Sequence, residues 1–160
     1  VEAWFRYNWM VRDQWYQWCE ELPHEELIRE RTGGTGSLLK TFFHIADVEW
    51  SWIQQLQGKP DELEDYETYK TLERVKELDR RFRTEVEPFV AAWEESVETR
   101  LHYSANAEGE AVIYTWGEVM RHVIAHEIHH IGQMSVWARE VGKQPVSANF
   151  IGKGLIKPLV

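Results

Sequence analysis

The chain reads as an all-α protein whose natural solution is a four-helix bundle. Three observations predict this: four long segments carry apolar residues at helical spacing, the connections between them are mostly short, and no repeat, low-complexity tract or linker divides the chain. A single domain over residues 1–160 is the simplest organisation. That length suffices to bury roughly 70% of the unfolded surface. Hydrophobic residues make up 43% of the chain and are spread along all of it, which excludes a disordered class.

The first helix is expected from about Ala3 to Glu21, with Trp4, Val11, Trp15, Trp18 and Leu22 in register and Pro23 as its stop. Asn8 interrupts that stripe and reads as a satisfied core amide. Gly33-Gly34-Thr35-Gly36-Ser37 is a loop without the G-K-[ST] or preceding strand of a phosphate cradle; Ser37 or Thr35 caps the second helix instead. That helix runs to about Gln57 and ends at Gly58-Lys59-Pro60. The third spans about Leu72 to Ser96, its charges forming a solvated face laced with i,i+4 pairs, and Pro88 is expected to kink or break it. Leu101-His102-Tyr103 and Ala111-Val112-Ile113-Tyr114 alternate weakly around Asn106-Ala107-Glu108-Gly109, which predicts a short hairpin or extended excursion. Thr115-Trp116-Gly117-Glu118 is a capping box opening the fourth helix, through about Val141. A tail with Pro145, Gly152, Gly154 and Pro158 is expected to form at most a short helical turn. The wide loops before the second helix and after the third permit topologies other than simple up-down.

Acidic residues outnumber basic ones by 27 to 18, a net charge of −9, with no Lys/Arg cluster to offset it locally. Nucleic acid and anionic lipid are therefore excluded as expected partners. Cys19 is the only cysteine, so neither an internal disulfide nor a Cys-rich zinc site can form; it reads as a small apolar helix residue. No apolar run is long enough for a membrane span, and Glu2, Arg6 and Arg12 break the pattern a signal peptide would need. The expected location is cytoplasmic.

Chemistry is concentrated in His126-Glu127-Ile128-His129-His130, which matches H-E-x-x-H by letters. Positions i and i+4 share a helix face, so His126 and His130 can close on one metal ion. On a wheel of 100° per residue, Trp116, Met120, Val123, Ile124, Ile131, Met134 and Ala138 define the apolar arc. His130 lies just inside one edge of that arc, and His126 just beyond it beside Val119 and Trp137. His122 and His129 fall toward the polar side, as solvent-facing or supporting groups. Glu127 falls near the middle of the arc, where an unpaired carboxylate is costly; it either accepts hydrogen bonds from neighbouring helices or serves the site, as a general base. A third ligand should come from another helix, and the remaining histidines are His24, His44 and His102. Periodicity argues weakly against His44: it shares a side with Ser37, Lys40, Asp47 and Ser51, opposite Leu38, Phe42, Ala46, Trp50 and Ile53.

His44-Ile45-Ala46-Asp47-Val48-Glu49-Trp50, with His122-Val123-Ile124-Ala125-His126-Glu127-Ile128-His129-His130-Ile131-Gly132-Gln133, resembles the DinB (damage-inducible) family of DinB/YfiT-like metalloenzymes. Phe5-Arg6-Tyr7-Asn8-Trp9 and Thr115-Trp116-Gly117-Glu118-Val119 fit it too, so the resemblance covers essentially the whole chain. It implies an up-down-down-up four-helix bundle, often a homodimer, with one nickel or zinc ion held by His44, His126 and His130. The apolar arc of the second helix, broadened by Phe43, Trp52 and Leu56, would then be shared between core and dimer partner, leaving His44 at a pocket mouth. Three neutral imidazoles leave positions open for water or substrate, a catalytic layout that suits zinc, nickel, copper or iron.

Three functions follow. The resemblance favours a metal-dependent enzyme acting on a small-molecule substrate with a low-molecular-weight thiol, as bacillithiol or mycothiol S-transferases do. The alternatives are a metal-dependent hydrolase using Glu127 as base and a non-catalytic metal-binding stress protein.

Overall fold

A computed structural model describes residues 1–61 and 64–157; Pro158 of the expected tail lies outside them. The element order is α1 (Glu2–Glu20), α2 (His24–Ile28), α3 (Leu38–Leu56), α4 (Leu72–Ala91), β1 (Leu101–Ala105), β2 (Ala111–Thr115) and α5 (Trp116–Glu140). Short 3-10 turns at Tyr66–Tyr69 and Glu95–Val97 flank α4. The chain is thus mostly helical, with one antiparallel hairpin.

Each long helix starts and stops where local chemistry dictates. The Ser37 hydroxyl accepts the Lys40 N–H at 3.2 Å and caps α3. Gly58, at φ +65°, turns the chain out of it. Thr115 and Glu118 complete the reciprocal capping box of α5. Pro88 does not break α4 where it sits, because the helix closes one turn later with the Ala92 N–H on the Pro88 carbonyl. The expected continuation to Ser96 fails there. Trp93 instead turns in to meet Phe89 and Trp116, at ring separations of 6.1 and 6.4 Å. The short α2 was not expected; Leu27 anchors it in the core.

Helix α1 packs on α4 and α5, and α3 packs on the same two, so the four long helices form a ring around one apolar core. The arc of α3 is used inside the chain: Phe42, Phe43, Trp50, Ile53 and Leu56 are all buried there. Phe43 packs on Tyr66 and Tyr69, and Trp50 stacks on Phe82 at 4.4 Å. No helix among the described residues is long and apolar enough to cross a membrane.

The core is not wholly apolar. Arg12 of α1 is fully buried and reaches Glu49 of α3, Asp79 of α4 and Glu127 of α5. The Trp9 indole N–H donates to both oxygens of Glu49 at 3.1 Å, and Arg83 takes the other oxygen of Asp79. Burial opposes the charge on Arg12, but the fields of Glu127, Glu49 and Asp79 overcome that and hold its proton more tightly than usual. Three carboxylates still exceed the two cations. Burial accordingly pushes the Glu49 carboxyl up to about 7 against the pull of Arg12, with Glu127 and Asp79 adding to the rise.

The charged face of α4 is solvated as expected, with Glu73, Arg74, Glu77, Arg80, Arg81 and Glu87 exposed, but it is not laced by an i,i+4 ladder. Asp79–Arg83 is such a pair, but Lys76 reaches Glu20, Arg81 reaches Glu64, and Glu85 accepts from Trp50 and Gln54.

Candidate metal centre

His126 and His130 project from one face of α5 toward α3, and His44 projects from α3 to meet them. The Nε2 atoms of His44 and His126 lie 3.0 Å apart, and those of His126 and His130 lie 3.1 Å apart. One nitrogen from each of the three lies within 4.8 Å of the others. His130 is buried, while His44 and His126 are half-buried at the edge of the core.

Gln133, one turn beyond His129 and His130, sets the orientation of the site. Its Oε1 accepts from His130 Nδ1 at 2.8 Å, which directs the Nε2 lone pair of His130 into the cluster. Its amide nitrogen donates to His129 Nε2 at 3.0 Å. The glycine loop is shaped around this side chain. Gly34 adopts φ +53°, and a Cβ there would collide with Gln133 Oε1.

The donor set fits a cation. With His130 presenting a lone pair, a single proton on His126 Nε2 serves one of its two neighbours well and leaves the other contact without a proton of its own. A divalent ion among the three nitrogens satisfies all of them. Two of the three spacings, His44 to His126 and His126 to His130, approach the roughly 3.3 Å expected for tetrahedral ligation at about 2.0–2.1 Å. The rings are also held neutral, as metal ligation requires. Burial, then the neighbouring His130, His44, His122 and His129, lowers His126 to about 3. His44 is lowered by burial, then by His130 and Lys40, and His130 chiefly by burial.

The other residues singled out in the sequence lie elsewhere. His24 is exposed on α2, and His102 sits on β1 opposite Tyr114. His122 and His129 are exposed on α5, with the His122 ring 6.1 Å from that of His126. Asn8 is buried and donates to the Ile124 carbonyl at 3.3 Å, as a core amide should. Glu127 faces Arg12: Nε donates to Oε1 at 2.9 Å and Nη2 to Oε2 at 2.6 Å. Sequence reasoning did not find Arg12 or Gln133 as supports. The signal for Arg12 was a charged residue beside Val11 and one turn from Asn8, in the stripe the core uses, matched by a carboxylate in the apolar arc of α5.

Comparison with known proteins identifies the family. The model of the DinB family matches residues 2–154. An uncharacterized protein of Bacillus subtilis (strain 168), YizA, is 49% identical over 155 residues, covering 97% of this chain and 96% of the relative. With its three-histidine cluster between α3 and α5, the chain belongs to the DinB family.

Proposed function

We propose that this protein is a metal-dependent enzyme that joins a low-molecular-weight thiol of the bacillithiol or mycothiol type to a small electrophilic substrate. The observation that carries the reading is the convergence of three neutral imidazole nitrogens, one of them aimed by Gln133. His44, His126 and His130 would hold one nickel or zinc ion. The bound ion would supply Lewis acidity, lowering the pKa of a coordinated thiol.

Around it, His130 is kept in one tautomer and the buried Arg12 cluster fixes α3 and α5 in register. Transfer forms a bond from sulfur to the electrophilic carbon as the leaving group departs with its electron pair, and the thiol proton passes to solvent. Glu127 has both oxygens bonded to Arg12, which favours thiol transfer over hydrolysis with Glu127 as base. The up-down-down-up bundle, the homodimer and the cytoplasmic setting of such enzymes belong to the same proposal.

The test is turnover of an electrophile panel by metal-loaded protein, with and without bacillithiol. Product formed only with both thiol and metal is the expected result. Thiol-independent ester or amide cleavage would replace the reading with a hydrolase, and inertness with tight metal retention would replace it with a metal-binding protein.

A further inference from the structure

Beside the histidine cluster, α3, the hairpin and α5 form a half-open cavity of about 270 Å³ lined by Trp52, Tyr114, Glu118, Val119 and His122. Its walls are aromatic: the Trp52 ring stands 6.2 Å from Tyr114 and 5.8 Å from His122, edge to face in both cases. The hairpin that supplies Tyr114 is tied to the start of α5, because the Trp116 N–H donates to the Arg100 carbonyl and the Gly117 N–H to the Glu98 carbonyl. His122 lines the cavity, and its ring lies 6.1 Å from that of the candidate ligand His126. A molecule resting on Trp52 and His122 therefore lies one side chain away from His126.

The lining selects by chemistry. A cavity of about 150 Å³ holds a benzene ring, so this one accommodates a group of one or two rings. At its edge Glu118 is ionised: the Thr115 N–H and hydroxyl both donate to Oε2, at 2.7 and 2.8 Å, and those bonds draw its pKa down. A carboxylate at the rim repels anions and favours cations over the aromatic faces. Behind the wall, His102 lies 6.3 Å from Trp52, ring to ring, and its buried Nε2 has no partner among the described residues. A polar thiol matches this lining poorly.

We propose that the cavity bounded by Trp52, Tyr114, Val119 and His122 binds the aromatic body of the second substrate, the electrophile, in an uncharged or cationic form. The assignment of that molecule as the electrophile rests on the thiol-transfer reading; the preference for an aromatic group without negative charge rests on the cavity alone.

The test is ¹⁹F NMR titration of the full chain, as purified and after chelation, with 4-fluorobenzylamine and 4-fluorobenzoate as probes, alongside elemental analysis. The amine is expected to bind both preparations, and the benzoate much more weakly. Trp52→Ala should weaken the amine at least about fivefold, the loss of an aromatic wall, with the metal content unchanged. Glu118→Gln retains a residue suited to the capping box and should narrow the gap between the two probes. Equal binding of amine and benzoate, no amine binding to wild type, or undiminished binding to a folded Trp52→Ala would overturn the proposal. Should Trp52→Ala fail to fold, the probe gap in Glu118→Gln decides alone: an unchanged gap overturns the proposal. Amine binding to protein that carries no metal as purified and takes up none on reloading would support the cavity while removing the metal-site reading. Metal retention without amine binding would do the reverse.

Discussion

Arg12 and Glu127 form a two-point pair in the centre of the protein, Nε to Oε1 at 2.9 Å and Nη2 to Oε2 at 2.6 Å, with neither side chain more than 2% exposed. The same guanidinium holds Glu49 on α3, five residues beyond His44, while Glu127 lies between His126 and His130 on α5. One side chain therefore ties together the two helices that carry the candidate ligands.

Removing one partner of such a cluster leaves uncompensated buried charge. Arg12→Met should lower stability by about 3–5 kcal/mol, because three carboxylates lose their common cation. Arg12→Lys should recover little of this, since an ammonium cannot reproduce the fork shared by Glu49, Asp79 and Glu127. Urea denaturation of both variants measures it; a stable Arg12→Met would show that the cluster does not hold the core together.

Glu127→Gln separates a structural carboxylate from a catalytic one. The expected outcome is a lower melting temperature with metal content retained and no selective loss of turnover. A selective fall in hydrolysis by about 10²–10⁴-fold in a fully stable variant would identify Glu127 as a general base instead.

Gln133 acts through His130. Gln133→Leu should weaken metal affinity by about 10–100-fold while leaving the melting temperature of the metal-free protein nearly unchanged. Gly34→Ala should act in the same direction, because its Cβ would displace the Gln133 amide. Competition against a chelating dye reads both. Wild-type affinity in Gln133→Leu would mean that the His130 tautomer is set by something else.

The pH dependence of the metal-free protein contains two opposed contributions. His126 falls to about 3 in the folded state, against 6.5 as its ordinary value, so between those limits the unfolded chain binds a proton the folded chain refuses. Stability is lost through His126 as pH falls across that window. Glu49 is raised from 4.5 to about 7, so its folded form takes up a proton first, and stability is gained through Glu49 as pH falls from 7 toward 4.5. His126→Gln should therefore lose less stability than wild type between pH 7 and 4.5, measured by urea midpoints. Parallel changes in the two proteins would contradict the lowered pKa of His126.

The sequence made most of the helical frame legible because its signals are local. Thr115 and Glu118, Ser37, and Gly58 mark helix ends by the bonds or backbone angles they permit, and each stands at the end it marks. The histidine pair on α5 followed from i,i+4 geometry in the same way. His44 did not, because periodicity on α3 assumes one buried face. That helix is instead covered by α2, α4 and α5 as well as the Tyr66–Tyr69 turn, so its polar strip also faces protein. Arg12 was hidden for a related reason: its three partners lie 37, 67 and 115 positions away, and no local pattern announces a contact of that kind.

The central claim is that His44, His126 and His130 together hold one divalent ion. Elemental analysis of the purified protein should find about one nickel or zinc per chain, lost in each of His44→Ala, His126→Ala and His130→Ala and retained in His24→Ala and His102→Ala. Full metal retention in His44→Ala, or a wild-type protein that takes up no divalent ion, would contradict it.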